Sequence, residues 1–180
     1  MKKFPINQDK LRGLPINAHP GSFGHTRKYN FHEGIDLYGE PGDTVYAIRN
    51  GVVISNCTFT GPAEGHPWWL DTDAVLVKDE HGYYVYGELR SNLKPGDLVS
   101  AGDIIGKLTP VLTDDKFRSD IPGHSTTMLH LERWNSSYDP NSGWMAWNTR
   151  LERPKYLEDP TPELINILNQ QHIQFKFLTI

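Results

Sequence analysis

The sequence is poor in the features that mark several common protein classes. Its 180 residues include a single cysteine, Cys57, and they contain neither a long basic run nor an apolar stretch of membrane-spanning length. One cysteine excludes an intrachain disulfide and a zinc site built from thiolates. The 18 Lys and Arg residues against 22 Asp and Glu residues give a net charge of -4, which makes nucleic acids and anionic membranes poor candidates for partners.

The length and composition predict one soluble domain over residues 1–180. A chain of this size buries roughly 70% of the surface that its unfolded form exposes, which supports one substantial core. The sequence has no tandem repeat and no low-complexity tract that would indicate another architecture.

Short apolar or alternating runs predict a mainly β fold. They lie at residues 45–48, 51–55, 74–78, 83–88, 104–108 and 128–133. The alternation of Ile173, Phe175 and Phe177 with polar residues predicts a final strand. With 16 Gly and 13 Pro, most of the remaining chain is predicted to form turns and loops.

One helix is predicted near the C-terminus. Thr161 is a suitable N-cap, Pro162 follows at the first helical position, and the helical pattern runs to about Gln170. No other segment carries a comparable combination of signals, so the expected helix content is low.

Two distant segments carry the residues best suited to metal binding. His32, Asp36 and His130 together supply two imidazoles and a carboxylate, a ligand set that zinc accepts. In an extended strand His32 and Asp36 would be about 13 Å apart, so the chain between them must bend, and Gly34 lies where a bend is possible. Three protein ligands would leave the fourth tetrahedral position open, as in catalytic zinc sites. The alternative is that His130, between two leucines, is an inward-facing strand residue that is hydrogen-bonded in the core.

Five short patterns follow one another along the chain. They are His-x-Gly-x-Asp at residues 32–36, Gly-x-x-Val-x-Ala at 42–47, Gly-x-Val at 51–53, Val-x-x-Gly-x-x-Ile-Gly at 99–106 and His-x-Glu at 130–132. In this order and at these spacings the patterns resemble those of the lysostaphin-type and LytM-type zinc endopeptidases. The resemblance covers about residues 24–134.

The resemblance implies a fold, a cofactor and a substrate class. The fold would be an antiparallel sheet sandwich of the duplicated hybrid motif type, with long groove-forming loops and one short C-terminal helix. Its metallopeptidase-like core would span about residues 24–134, and residues 135–180 would form a C-terminal extension. Carried over residue by residue, the motifs make His32, Asp36 and His130 the ligands of one zinc ion per chain. Peptidoglycan peptide, the family's usual substrate, is the implied partner.

Two positions depart from the family pattern. The family has a histidine beside the catalytic water where this chain has Glu88, and another where it has Met128. A carboxylate can take a proton from water and deliver one to a leaving amine, so Glu88 is the candidate catalytic residue. The alternatives for Glu88 are a fourth zinc ligand or a side chain that points to solvent. Met128 cannot transfer protons and is expected to pack or to shape a less polar wall. His124, in a nearby loop, is either a replacement for the missing imidazole or merely exposed.

Three long segments predicted to be loops carry aromatic residues. They are residues 57–73 with Trp68 and Trp69, residues 113–127 with His124, and the segment from Trp134 that includes Trp144 and Trp147. In the family such loops wall a groove across the metal. The resulting candidates for substrate binding are Trp68, Trp69, His124 and Trp134. The alternative is that the aromatic side chains anchor their own loops to the core.

The sequence favours a zinc metalloendopeptidase that hydrolyses peptide bonds, with peptidoglycan cross-links as the expected substrate. One alternative is a catalytically inactive zinc-binding module that recognises cell-wall peptide or another protein. Another is a carrier domain of the biotinyl or lipoyl type, because the pattern at residues 96–106 also occurs in those barrels. A carrier domain needs a modifiable lysine at a hairpin tip, and the tip at residues 79–82 has none.

The N-terminal residues predict neither a signal peptide nor a membrane anchor. The first three residues, Met-Lys-Lys, resemble the basic start of a signal peptide, but Pro5, Asn7 and Asp9 follow where an apolar run is required. Cytoplasmic synthesis is therefore expected. Contact with a cell wall would then need an unusual export route or the role of a viral lysis or tail protein.

Overall fold

The computed structural model describes residues 2–27, 30–66, 69–142 and 152–180. Within these ranges the chain forms eleven strands and one α-helix, α1, at Thr161–Gln170. The strands are β1 Leu14–Pro15, β2 Ile35–Tyr38, β3 Thr44–Tyr46, β4 Gly51–Thr60, β5 Thr72–Asp79, β6 Gly82–Arg90, β7 Leu98–Val99, β8 Ile104–Leu108, β9 Met128–Asn135, β10 Leu157–Glu158 and β11 Phe177–Leu178. No helix in the described ranges is long and apolar enough to cross a membrane.

Nine of the strands form one antiparallel sheet. Neighbouring strands run in the order β10, β9, β6, β5, β4 and β7. Strand β2 also pairs with β9, while β3 pairs with β8, which in turn pairs with β6. The predicted mainly β, antiparallel fold with a single C-terminal helix is thereby confirmed for the part of the chain that the structure describes.

The central strands β5 and β6 are buried on both faces. In β5, Val75 and Val77 belong to one apolar cluster, and Ala74 and Leu76 belong to a second cluster on the other face. Because side chains alternate across a strand, a strand that is covered on both sides is apolar at successive positions. This explains why residues 74–77 form a continuous apolar run rather than an alternating one.

Helix α1 packs against the larger of these two apolar clusters, the one that contains Val75 and Val77. Its buried residues Leu164, Ile167 and Leu168 follow the i, i+3, i+4 spacing of one helix face. Burial of each such side chain contributes about 1.5–3 kcal/mol. The Oδ1 atom of Asp159 accepts a hydrogen bond from the Thr161 amide at 2.8 Å. Pro160 occupies the N-cap position and Thr161 is the first helical residue, so the helix begins one residue earlier than predicted.

Two predicted segments differ in extent from the structure. The predicted loop at 57–73 is shorter, because β4 continues to Thr60 through two register shifts that keep it paired with β5. The predicted strand at residues 173–177 is reduced to β11, which pairs in parallel with β1. Ile173 and Phe175 pack against the larger cluster without joining a ladder. Their alternation with polar residues thus reflects burial of one side and not strand pairing.

Candidate metal centre

Strand β9 brings the two halves of the candidate site together. It lies between β2 and β6, so that His130 has Asp36 directly opposite on one side and Gly87 on the other. Residues opposite each other in a sheet share a face. The Asp36 carboxylate and the His130 imidazole are therefore held side by side by the sheet itself.

His32 reaches the same point from the chain just before β2. Its backbone amide donates to the carbonyl of His25 at 3.0 Å, and the chain bends at Gly34 before entering the sheet. A Cβ atom at Gly34 would lie 2.7 Å from the Cε1 and Nε2 atoms of His130. Gly34 thus provides space for the His130 ring in addition to the bend that the sequence indicated.

Three ligand-type atoms converge in this arrangement. The Nε2 atom of His32 is 3.1 Å from Asp36 Oδ1 and 3.3 Å from His130 Nδ1, and the last two atoms are 3.1 Å apart. Tetrahedral zinc with bonds of about 2.0–2.1 Å places its ligand atoms roughly 3.3 Å from one another. All three residues are buried and form a group able to hold a metal ion. The donor set therefore fits zinc in identity and in spacing.

The outer nitrogen of each imidazole is already used as a donor. His32 Nδ1 donates to the Ser22 carbonyl at 2.8 Å, and His130 Nε2 donates to Glu132 Oε1 at 3.0 Å, since neither oxygen can act as a donor. These bonds assign the lone pairs of the neutral rings to His32 Nε2 and His130 Nδ1. When the His130 ring is neutral, three acceptors including the Asp36 oxygen therefore face one another, and a proton or a metal cation between them offsets their repulsion.

The titration of the three side chains follows from the same contacts. Burial lowers the pKa of His32 to about 4, which keeps this imidazole neutral. Burial also acts to lower the pKa of His130, but the hydrogen bonds and charges of Asp36 and Glu132 raise it to about 10. Burial opposes ionisation of Asp36, yet the two imidazoles hold the pKa of this carboxyl well below its usual range. A metal ion must therefore displace a proton from this cluster, which couples metal binding to pH.

The three side chains line a cleft with a cavity of about 250 Å³. Its walls also include Glu88, Met128, Trp69 and His124. A metal ion held by three buried ligands beside such a cavity would keep a coordination position open toward the cleft.

Glu88 enters the cleft through an irregularity of β6. Gly87 pairs with Ala74 and Leu89 pairs with Asp73, so Glu88 is an extra residue in the ladder, and its φ is 66°. A bulge of this kind redirects a side chain, and a left-handed backbone at a residue other than glycine costs about 1–2 kcal/mol. In a regular strand Glu88 would face away from the side that carries Gly87 and the His130 ring.

The Glu88 carboxyl is buried, and one of its oxygens makes no hydrogen bond to the described residues. This oxygen is the Oε2 atom. Burial, followed by the charge of Asp36, raises the pKa of Glu88 to about 8, against the opposing effects of His130 and Arg27. A cation in the site would lower this pKa again, because an opposite charge favours the carboxylate.

Two of the four predicted substrate-binding residues line the cleft. Trp69 and His124 line the cleft. His124 Nδ1 accepts the Arg118 amide at 3.3 Å, so its Nε2 atom carries the proton of the neutral ring. Trp134 is 1% exposed and does not line the cleft. Trp68 lies outside the described residues, as do Trp144 and Trp147.

Sequence reasoning did not select several residues that the structure brings to the site. Arg27 Nη2 lies 3.3 Å from Asp36 Oδ2, Phe59 packs its ring 5.6 Å from that of His130, and Tyr38 lines the cleft. Only the contact of Glu132 with His130 could have been predicted from the sequence, because the two residues are two positions apart and therefore lie on the same face of a strand. The other contacts depend on loops and register.

The fold and the buried His–Asp–His cluster are those of a mainly β metallopeptidase-like protein, and comparison with known proteins agrees. The profile of Peptidase family M23 matches residues 30–140. This match covers more than half of the chain, and the chain belongs to Peptidase family M23. No curated protein sequence matches the chain.

Three solved structures illustrate the similarity of fold. The crystal structure of cbpa from L. salivarius REN is 22% identical, with 88% of this chain and 92% of that chain covered and a TM-score of 0.54. The antimicrobial peptidase lysostaphin from Staphylococcus simulans is 19% identical over 93% of this chain and 56% of that chain, with a TM-score of 0.55. LytU is 19% identical over 98% of this chain and 94% of that chain, with a TM-score of 0.51. At these identities the similarity shows a shared fold.

Proposed function

We propose that this chain is a zinc endopeptidase that hydrolyses peptide bonds in peptidoglycan cross-links, with one zinc ion held by His32, Asp36 and His130. The observation that carries the proposal is the set of three buried acceptor atoms, 3.1–3.3 Å apart, beside an open cleft. Membership of Peptidase family M23 supports hydrolysis of peptides as the reaction.

Zinc at this position supplies Lewis acidity, which polarises a carbonyl and acidifies water. Glu88 takes the proton from the attacking water and returns it to the leaving amine, a role for which its unpartnered Oε2 atom in the cleft is suited. Arg27 Nη2, 3.3 Å from the outer oxygen of Asp36, helps to orient that carboxylate.

The cleft walls hold the substrate beside these groups. Trp69 offers an aromatic face for a sugar ring or a peptide, and His124 offers a protonated Nε2 atom as a hydrogen-bond donor. Met128 provides an apolar, adaptable surface next to the ligands.

Digestion of purified peptidoglycan, followed by mass analysis of the fragments, tests the proposal. The parent protein should release peptide fragments, and a chelator should stop their release. Zinc added after chelation should restore activity to the parent, but the His32→Ala variant should stay inactive. Absence of fragments from zinc-loaded parent protein would overturn the proposal.

A zinc-binding module without turnover is the second candidate. It is favoured by one specific observation, the presence of Glu88 and Met128 where the family has histidines. Such a module would bind muropeptides with zinc in place but would leave them intact. Binding measured by calorimetry on zinc-loaded protein, with no fragment in the same sample, would select this candidate.

A further inference from the structure

Strand β9 carries a row of hydrogen-bonded side chains behind the candidate metal centre. Because side chains alternate along a strand, His130, Glu132 and Trp134 lie on one face. Glu132 Oε1 accepts from His130 Nε2 at 3.0 Å, and Glu132 Oε2 accepts from Trp134 Nε1 at 2.6 Å. Both carboxylate oxygens are thus used, one toward the candidate ligand and one toward the core.

The row is buried and fixed by the sheet. Trp134 is 1% exposed and Glu132 is 4% exposed, so neither side chain is free to turn into solvent. In the ladder with β6, Glu132 lies opposite Val85 and Trp134 opposite Tyr83. A buried carboxylate requires partners for its charge, and here it has an imidazole donor and an indole donor.

We propose that Glu132 and Trp134 are positioning residues that present His130 Nδ1 to the metal. The indole N–H of Trp134 fixes the Glu132 carboxylate, which holds the proton on His130 Nε2 and thereby directs the lone pair of Nδ1 into the site. This inference rests on the proposed zinc site. It gives Trp134, which sequence reasoning placed at the substrate, a role behind the metal centre.

The chemistry of glutamine makes the proposal testable. A carboxylate offers an acceptor oxygen to each of the two donors, whereas a glutamine side chain offers one oxygen and one NH2 group. In Glu132→Gln, either His130 Nε2–H or the Trp134 indole N–H would face another donor. Loss of such an outer partner lowers metal affinity by about 10- to 100-fold.

Zinc affinity of the full-length chain, measured by competition with a chelator of known affinity, is the first readout. Glu132→Gln should bind zinc about 10- to 100-fold more weakly than the parent, and Trp134→Phe should shift in the same direction. Glu158→Gln is the matched control, because Glu158 is an exposed carboxylate on the neighbouring strand β10. Its zinc affinity should equal that of the parent.

The tautomer of His130, observed through its ring nitrogens by 15N NMR, is the second readout. In zinc-loaded protein the parent should show only the Nε2–H form, and Glu132→Gln should also show the Nδ1–H form, in which the ring does not present Nδ1 to the metal. A lower melting temperature alone would indicate only lost packing in Trp134→Phe, so Glu132→Gln decides the question. Unchanged zinc affinity and an unchanged tautomer in Glu132→Gln would overturn the inference. If His130→Ala also left zinc binding unchanged, the proposed zinc site itself would have failed.

Discussion

Asp36 and His130 are 94 positions apart in sequence, yet the register of β2 and β9 sets them directly opposite each other, with Oδ1 and Nδ1 3.1 Å apart. A slip of one residue in this register would turn His130 toward the larger apolar cluster, since side chains alternate between faces. The candidate metal site is therefore a direct consequence of strand pairing, and it can form only when β2 and β9 pair in this register.

The first prediction concerns metal content. Protein purified without chelator should contain about one zinc per chain by elemental analysis, because His32, Asp36 and His130 are the proposed ligands of one ion. Replacing any one of them by Ala should reduce the zinc content sharply. His81→Ala is the matched control, since His81 is an exposed histidine whose loss should change nothing. Equal zinc content in the parent and in all three ligand variants would contradict the site.

The second prediction concerns Glu88→Gln. The amide is nearly isosteric with the carboxyl, so zinc content and melting temperature should stay close to those of the parent. Turnover of peptidoglycan should fall by roughly 100- to 10,000-fold, the usual contribution of a positioned acid–base group. Glu80→Gln, at an exposed carboxylate in the β5–β6 turn, should retain full turnover. If Glu88→Gln instead lost its zinc, Glu88 would be a fourth ligand and not the base.

The three candidate ligands could be selected from the sequence, whereas their surroundings could not. His32, Asp36 and His130 lie in short local patterns whose residue types suit zinc, and the structure brings the three together. The position of Glu88 depends on a bulge, which shifts the alternation of side chains between the two faces by one residue. No residue type in β6 predicts this bulge. The bulge arises from the register in which β6 pairs with β5, and the residue types in the two strands do not specify that register.

Short apolar runs correctly predicted strands inside the sheet, whereas the alternation at residues 173–177 did not predict a strand of that length. Residues 74–78 and 83–88 fall within β5 and β6, where two apolar clusters cover both faces. Of the alternating residues at 173–177, Ile173 and Phe175 are partly buried against the core, and only Phe177 lies in the short β11. Trp134 illustrates a related limit, because the sequence shows a large amphipathic ring but not which neighbour accepts its N–H.

The third prediction concerns pH and the cluster around Glu163, far from the metal centre in sequence. Glu163 accepts from Arg49 at 2.7 Å and pairs with Lys2 at 2.7 Å, and the Tyr84 hydroxyl also donates to it. Burial acts to raise the pKa of Glu163, but these donors and charges outweigh burial and lower it. A carboxyl whose pKa is lower in the folded state adds stability above its unfolded pKa and loses it as the pH falls.

Melting curves from pH 7 to pH 3 measure this effect. The parent should be more stable than Glu163→Gln at neutral pH, and the difference should shrink below about pH 4.5, the ordinary pKa of this group. Glu80→Gln should show a constant, small difference from the parent, because Glu80 is exposed. A difference between parent and Glu163→Gln that stayed constant down to pH 3 would contradict the assignment.

The last prediction restores the family's histidines through Glu88→His and Met128→His. Met128 stands two residues before His130 on the same face of β9, so an imidazole there would enter the cleft. Histidine also tolerates the positive φ at position 88 better than most residues do. The double variant should hydrolyse peptidoglycan, since an imidazole can transfer the proton that Glu88 transfers in the parent.

The parent and the single variants make this comparison decisive. Met128→His alone should keep the activity of the parent, because it leaves Glu88 in place, and Glu88→Gln combined with Met128→His should lose most of it. All variants should bind zinc equally, since none of them changes a ligand. Activity in the double histidine variant together with none in the zinc-loaded parent would contradict the proposed enzyme. That result would identify a zinc-binding scaffold in which Glu88 and Met128 have removed proton transfer while His32, Asp36 and His130 keep the metal.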